Sequence, residues 1–394
     1  MELFIKYLFL ICSVFLLNNK SIAQLSDQAQ ISLLTCAEGE DIYSLFGHSA
    51  IRVYDPANNI DNCYNWGMFE FDSDEIVFAT KFTKGRLKYY MDEQDFRYFI
   101  MEYDYFQRTV KEQVLNLTYQ QKNNLWKALK ENYLPENRVY KYDFFFDNCA
   151  TRIRDILQNT IGDNLVLKAH PNENMHSLRE LLNNTIKHMP WLGFGMDLAL
   201  GSKVDIKANN QKMMFLPKYM HAIYADSEVL INGKPQPLVL SEITLINGIN
   251  HKAEASFWST PTFLFWALFV ISVILTWSKI RFLTKLWDAT LLFVFGVLGI
   301  IIVFLWFGTD HITMRPNFNV LWANPLYLFF LLPLMHKKLH KKLHKAYLGM
   351  AALLILVIFG AMIIPQEFNP ACSPIILIFT FKFFYWYKET KRVV

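Results

Sequence analysis

The chain has 394 residues, of which 53% are hydrophobic and 16% aromatic, and its formal net charge is only +4. That composition is too apolar for an ordinary soluble chain and requires a membrane portion, and so small a charge gives no general attraction for nucleic acid. What matters is where the lysines and arginines fall.

Residues 1–23 read as a secretory signal peptide. Lys6 precedes an apolar run from Leu8 to Leu17, and Ser21-Ile22-Ala23 is a small-x-small cleavage site before Gln24. An uncleaved anchor helix is the alternative reading. Cys12 lies inside the run and would leave with the signal. Export then places Cys36, Cys63, Cys149 and Cys372 where disulfides are permitted, and spacing leaves a Cys36–Cys63 pairing open. The His-x-x-x-His spacing through His336, His340 and His344 lies in a lysine-rich run without an acidic or thiol ligand, so no metal is expected. No other cofactor is expected either.

Residues 24–254 read as an exported α+β domain. Strands are expected at Ile31 to Thr35 and at Ser49 to Tyr54, followed by a turn and an aromatic strand from Asn62 to Phe71. In the second of these, His48, Ala50, Arg52 and Tyr54 share a face opposite to Ser49, Ile51 and Val53. Helices are expected at Asp74 to Thr83 and Glu93 to Phe106, then a strand at Thr109 to Leu117. Thr118 with Gln121 resembles a capping box opening a further helix, which Leu134-Pro135 ends. Tyr140 to Phe146 reads as a strand, and a helix follows to about Thr160. Trp191 to Asp197 reads as a loop, and Asn232-Gly233 signals a hairpin.

Residues 255–394 read as a transmembrane helical domain. Apolar spans are expected at 257–277, 286–307, 318–335, 346–365 and 371–387. Basic clusters follow the first (Lys279, Arg281, Lys285), the third (His336 to Lys345) and the fifth (Lys388, Lys391, Arg392). All lie on the cytoplasmic side if the signal exports the N-terminal domain. This predicts a multi-pass protein of the inner, cytoplasmic membrane with its first domain in the periplasm. Lys382, inside the fifth span, is expected to snorkel toward the cytoplasmic face.

The chemical signal is Asp147-Asn148-Cys149 at the entry to a helix. A thiol in the first turn meets unpaired backbone N–H groups and the positive end of the helix dipole, and both favour thiolate. A structural cysteine is the competing reading, because Cys149, Ile153 and Ile156 share one helical face. His48 is the candidate base, and Asn65 on the next strand the candidate to orient it, with Tyr64, Asp61 and Asn62 as competitors. Cys36 is the alternative nucleophile, disfavoured by Glu38, Glu40 and Asp41 beside it. In the loop between the second and third spans, Asp310, His311, Asn319 and Asn324 are candidates for a lipid headgroup or acceptor pocket. An interfacial loop in an aromatic belt is the plainer reading.

Several runs carry a family resemblance. They are Leu33 to Glu40, Tyr43 to Val53 (YSLFGHSAIRV), Tyr64-Asn65-Trp66-Gly67, Asp147 to Asp155 (DNCATRIRD), Met214-Phe215-Leu216-Pro217 and Asn319 to Pro325 (NVLWANP). Together they resemble the Lnb-type periplasmic domain family. The resemblance implies a lipoprotein N-acyltransferase of the Bacteroides type, which takes an acyl chain from a membrane phospholipid and delivers it to the amine of a diacylglyceryl-cysteine lipoprotein. The order of His then Cys at a helix start is also similar to the permuted papain-like group of NlpC-type peptidases and lecithin:retinol acyltransferases, which implies that fold for the exported domain. Carried over by residue, Cys149 would be the nucleophile and His48 the base. A membrane-tethered cell-wall peptidase with the same pair, and a binding or sensor domain with an inert Cys149, are the rival readings.

Overall fold

The computed structural model describes residues 23–70, 74–249, 255–278 and 280–391. All of the expected signal except Ala23, together with Lys279 and Arg392 of the basic clusters, lies outside the described residues.

In chain order the N-terminal domain contains β1 (Gln30–Cys36), β2 (His48–Asp55), β3 (Ile60–Met68), α1 (Glu75–Thr83), β4 (Lys88–Asp95), α2 (Phe96–Tyr105), β5 (Val110–Leu115), α3 (Tyr119–Tyr133), β6 (Val139–Lys141) and α4 (Cys149–Ile161). There follow β7 (Leu165–Val166), α5 (Leu178–Thr185), α6 (Pro190–Ala199), α7 (Asn210–Met213), α8 (Pro217–Asp226), β8 (Glu228–Ile231), β9 (Lys234–Pro237) and β10 (Val239–Ile246). Seven strands form an antiparallel sheet in the order β10-β5-β1-β2-β3-β4-β6, and β7-β8-β9 form a second, small sheet.

The period-two alternation of β2 divides the interior. Ile51 and Val53 pack on one face with Tyr64, Trp66, Cys149, Ile153 and Leu157, so α4 lies against that face. Ala50 packs on the other with Leu34, Cys36, Cys63, Phe99 and Tyr103 under α2. Cys36 and Cys63 are both free and buried, so the pairing left open by spacing is not made.

Three expectations for this domain need correction. Residues 93–95, expected to open a helix, instead complete strand β4 between β3 and β6, because pairing with β3 outweighs the poor strand propensity of Glu93, Gln94 and Asp95. The strand expected over 140–146 ends at Lys141. Asp143 Oδ1 then accepts the amides of Phe145 and Phe146, and Asp143 and Asp147 exchange backbone hydrogen bonds, which closes a turn. Trp191 to Asp197 lies in helix α6, opened by Pro190 at its first position.

The C-terminal domain comprises α9 (Pro261–Trp277), α10 (Arg281–Phe307), α11 (Leu331–Met335), α12 (Lys337–Lys342), α13 (His344–Gly360) and α14 (Cys372–Lys391). Among the described residues two segments are long and apolar enough to cross a membrane, Arg281–Phe307 and Ile312–Met335, and Pro261–Trp277 and His344–Gly360 are shorter apolar helices. The span expected over 318–335 is not one α-helix. It is a pair of 3-10 turns, Phe318–Leu321 and Pro325–Phe330, leading into α11. Asn317 and Asn324 cap these turns through the amides of Asn319 and Leu326. Gly299 of α10 lets the irregular segment approach, since a Cβ there would lie 2.5 Å from Ala323 O. Lys382 is a further correction: it is buried, 2.6 Å from Asp288 of α10, and donates to Thr276 of α9 at 2.6 Å.

The basic clusters gather at one end of this domain. His340 lies 3.9 Å from Glu389, whose carboxylate also feels Arg281 and Lys285. The opposite end, about 40 Å away along α10 at 1.5 Å per residue, holds the N-terminal domain. There Gly201 N donates to Thr313 O and Ser202 N to Pro316 O. The Asn369 amide donates to Asp197 Oδ2 at 2.7 Å. Asp197 and Asp205 in turn hold the buried guanidinium of Arg179, at 3.0 and 2.6 Å. A guanidinium out of water is tolerated because two carboxylates and the carbonyls of Leu200 and Gly201 accept from it.

Candidate active site

Helix α4 begins at the thiol for a local reason. Asn148 is its N-cap: Oδ1 accepts the Thr151 amide at 2.9 Å and Thr151 Oγ1 accepts the Asn148 amide at 2.7 Å, a reciprocal box. The Asn148 side-chain nitrogen donates to Phe144 O and to Phe215 O, both at 2.8 Å. The second bond ties the Met214 to Pro217 run to the helix start. Asp147 is paired with Arg152, at 2.7 Å between Oδ2 and Nη2, and that guanidinium lies 4.1 Å over the Tyr140 ring.

Because the cap takes the third amide of the helix, the first two remain for the sulfur. Backbone N–H groups of Cys149, Ala150 and Ser49 all point to the thiol and act to lower its pKa, but burial outweighs them and leaves it above its ordinary value. The resting group is a thiol. The Ser49 amide is the point at which the histidine strand touches it.

His48 opens β2. Gly47 before it has φ +79°, and a Cβ there would lie 2.7 Å from Cys36 O, so a side chain would clash with the neighbouring strand as well as strain the turn. His48 Nε2 lies 3.1 Å from Asn65 Oδ1, and Asn65 Nδ2 is 3.4 Å from Gln94 Oε1 on β4. An amide oxygen accepts, so Nε2 carries the proton and Nδ1 is left as the basic atom. Burial pushes the His48 pKa down to about 4, against the favourable bond to Asn65, and the ring is neutral at physiological pH.

By strand alternation His48 and Asn65 belong to the α2 side of the sheet, whereas α4 packs on the other. The thiol sits where β2 starts and β3 reaches Gly67, and it meets the histidine strand through the Ser49 amide; among the described residues the imidazole bonds to Asn65 and no hydrogen bond joins it to the Cys149 sulfur. A Cβ at Gly67 would lie 3.9 Å from Cys149 Cβ and 3.6 Å from the Tyr142 ring. Cys36 is paired with His48 across β1 and β2, but it is 1% exposed and burial pushes its thiol up to about 12. It has Tyr103 and Arg108 as neighbours and no helix start beneath it.

The four loop residues have protein partners. Asp310 is 3.1 Å from Arg86 and 4.0 Å from Lys141, and His311 Nε2 is 3.1 Å from Phe82 O. Asn319 donates to Asp197 O at 2.9 Å and accepts from Trp322, while Asn324 caps the following turn. Asp310 thus lies beside Lys141, just before the turn that precedes Cys149, with His311 next to it, and Asn319 and Asn324 serve the join and the irregular segment. Sequence reasoning missed Gln94, because its strand read as helix, and the Ser49 amide, which has no side-chain signature. Phe215 was marked only by its motif. Among the described residues no three His, Cys, Asp or Glu side chains group to hold a metal.

Comparison with known proteins matches residues 23–184 to the Lnb N-terminal periplasmic domain and residues 252–393 to the Lnb transmembrane domain. No curated protein and no solved structure matches the chain. Carrying both domains in order over most of its length, the chain belongs to the Lnb family and is a membrane protein with a periplasmic N-terminal region.

Proposed function

We propose that the protein is a thiol acyltransferase that N-acylates lipoproteins, with Cys149 as nucleophile, His48 as base and Asn65 as the residue that orients it. The observation that carries this reading is the position of the α4 start. A thiol ringed by three amides follows the Asp143–Asp147 turn, and Lys141 just before that turn lies 4.0 Å from Asp310 of the transmembrane domain. An exported thiol that works on water-soluble substrates has no need of that neighbourhood, whereas one with two lipid substrates does.

In the first half-reaction the Cys149 proton passes to His48 Nδ1 as sulfur bonds to an ester carbonyl carbon of a phospholipid. The carbonyl becomes an oxyanion, for which the amides of Cys149 and Ala150 are the donors. The ester C–O bond breaks, His48 returns the proton to the leaving oxygen, and a lysophospholipid departs. In the second half the neutral amine of a diacylglyceryl-cysteine attacks the thioester. His48 takes the amine proton, the C–S bond breaks, and the proton returns to sulfur. Asp310 and His311, at the edge of this site, are assigned to headgroup contact.

This reading includes a permuted papain-like fold for residues 24–254, five membrane passes for residues 255–394 and residence in the inner membrane. Its test is Cys149→Ala. The variant should remain folded while lipoprotein N-terminal peptides lose one acyl mass, and triacylated peptides at the wild-type level would refute the transferase. An acyl adduct released by neutral hydroxylamine should map to Cys149, and finding it on Cys36 would move the nucleophile.

A further inference from the structure

Helix α1 presents an unsolved packing problem. Its sequence EIVFATKFT carries five apolar residues, Ile76, Val77, Phe78, Ala79 and Phe82, among four polar ones, yet none of its residues is buried. Ile76 is 78% exposed, Phe82 54% and Val77 39%. Exposed apolar side chains of this size, gathered on one short helix, mark a surface that another apolar phase covers, and α1 is held against the outer loop of the transmembrane domain. His311 meets Phe82 O, the Asp310 amide donates to Lys84 O at 2.9 Å, and Arg86 pairs with Asp310. Lys81, Lys84, Arg86 and Lys88 cluster around its C-terminal end, where phosphate groups of a membrane surface would lie.

From α1 a row of aromatic rings runs inward. Phe78 lies 6.0 Å from Phe69, Phe69 5.4 Å from Tyr89, and Tyr89 is stacked at 4.5 Å on Tyr142. The row runs from the exposed helix to Tyr142, which shares with Cys149 the border of Gly67.

We infer that α1 is a membrane-docking helix that sits in the outer leaflet of the bilayer, and that the Phe78-Phe69-Tyr89-Tyr142 row is the wall along which a phospholipid acyl ester reaches Cys149. The acyl-path half of this inference rests on the transferase reading. The docking half does not.

Two measurements on the full chain, reconstituted in phosphatidylethanolamine–phosphatidylglycerol nanodiscs, separate them. A spin label placed by Ile76→Cys, or independently by Phe82→Cys, should be more accessible to oxygen than to a water-soluble nickel chelate. A label at Lys234→Cys in the β8–β9 hairpin should show the reverse. Chelate accessibility at 76 and 82 equal to that at 234, or protection from both reagents that rises with protein concentration, would overturn docking in lipid. The second arm replaces Phe82 with Asp. Acylation of Cys149 from nanodisc phospholipid should fall at least tenfold while acylation by p-nitrophenyl butyrate, which expels p-nitrophenolate, stays within twofold. Equal loss with both donors would overturn the lipid-delivery role. Failure of the unsubstituted protein to take an acyl group from either donor would sink the transferase reading and leave the spin-label result standing.

Discussion

Asn65 Oδ1 accepts from His48 Nε2 at 3.1 Å while Asn65 Nδ2 is turned toward Gln94, so the amide cannot flip without losing an acceptor for its own nitrogen. The pair fixes the imidazole tautomer from behind, on the side of the ring away from its basic nitrogen. Asn65→Ala should lower kcat for thioester formation by about 10²–10⁴-fold, the range associated with a positioned general base, with little change in KM. Asn65→Asp is the more informative variant. A carboxylate favours imidazolium, so the acid limb of the pH–rate profile should move upward from about 4. A limb that stays in place would show that Asn65 does not act through His48.

The pH dependence of the unsubstituted protein follows from the same group. His48 is held neutral, with its pKa lowered to about 4, so kcat/KM for acyl-enzyme formation should be flat from neutral pH down to about 5 and fall only below that. The stability sign is the same. Between about 4 and the unfolded value of 6.5 the unfolded chain binds the extra proton, so native stability drops as pH falls through that window and the loss is complete below 4. Because burial also raises the Cys149 thiol, iodoacetamide should label it slowly at pH 7 and faster as pH rises. Rapid labelling at pH 6 would reveal a resting thiolate–imidazolium pair instead.

The α4 start is built to bear its own desolvation. Asn148 is 3% exposed, caps the Thr151 amide and satisfies the buried carbonyl of Phe215 and the part-buried one of Phe144. Asn148→Ala should destabilise the protein by about 2–4 kcal/mol, the sum of a lost cap at about 1 and the buried Phe215 carbonyl left unpaired at about 1–3. Asn148→Ser restores the cap alone and should recover about 1 kcal/mol of it. Denaturation midpoints of the detergent-solubilised chain measure both. Equal stability of the two variants would assign the whole effect to the Phe144 and Phe215 carbonyls.

The parts legible in the sequence are those decided by local chemistry. The helix at Cys149, the capping box at Thr118 and the Asn232-Gly233 turn, where both residues have positive φ, follow from neighbouring residues alone. The parts that were not legible are settled by distant contacts. Strand β4 has charged and amide side chains, but Asn62 and Tyr64 donate to its Glu93, which also holds Lys130. Helix α6 carries two glycines and read as a loop, yet its Asp197 is fixed by Arg179, Asn183 and Asn369, all remote in sequence. At the site, His48 and Cys149 were visible as residue types. Their placement at the sheet end was not, because it depends on the strand order and on where β3 ends.

Lys382 is the plainest case of a partner that spacing could not reveal, since Asp288 lies in a different helix and nearly a hundred residues earlier. Alone in the fifth span, a lysine invites snorkelling. With Asp288 and Thr276 around it at 2.6 Å each, it joins α9, α10 and α14 in the bundle interior. Lys382→Met should therefore be strongly destabilising, by about 3–5 kcal/mol, because it strands a buried carboxylate. The double variant Asp288→Leu with Lys382→Met removes both charges and should regain most of that loss, or exceed the unsubstituted protein, since a well-packed apolar pair carries no desolvation cost. Thermal unfolding in nanodiscs gives the order. If the double variant is no more stable than Lys382→Met, the pair contributes through geometry that apolar side chains do not reproduce, and the three helices depend on the charges themselves.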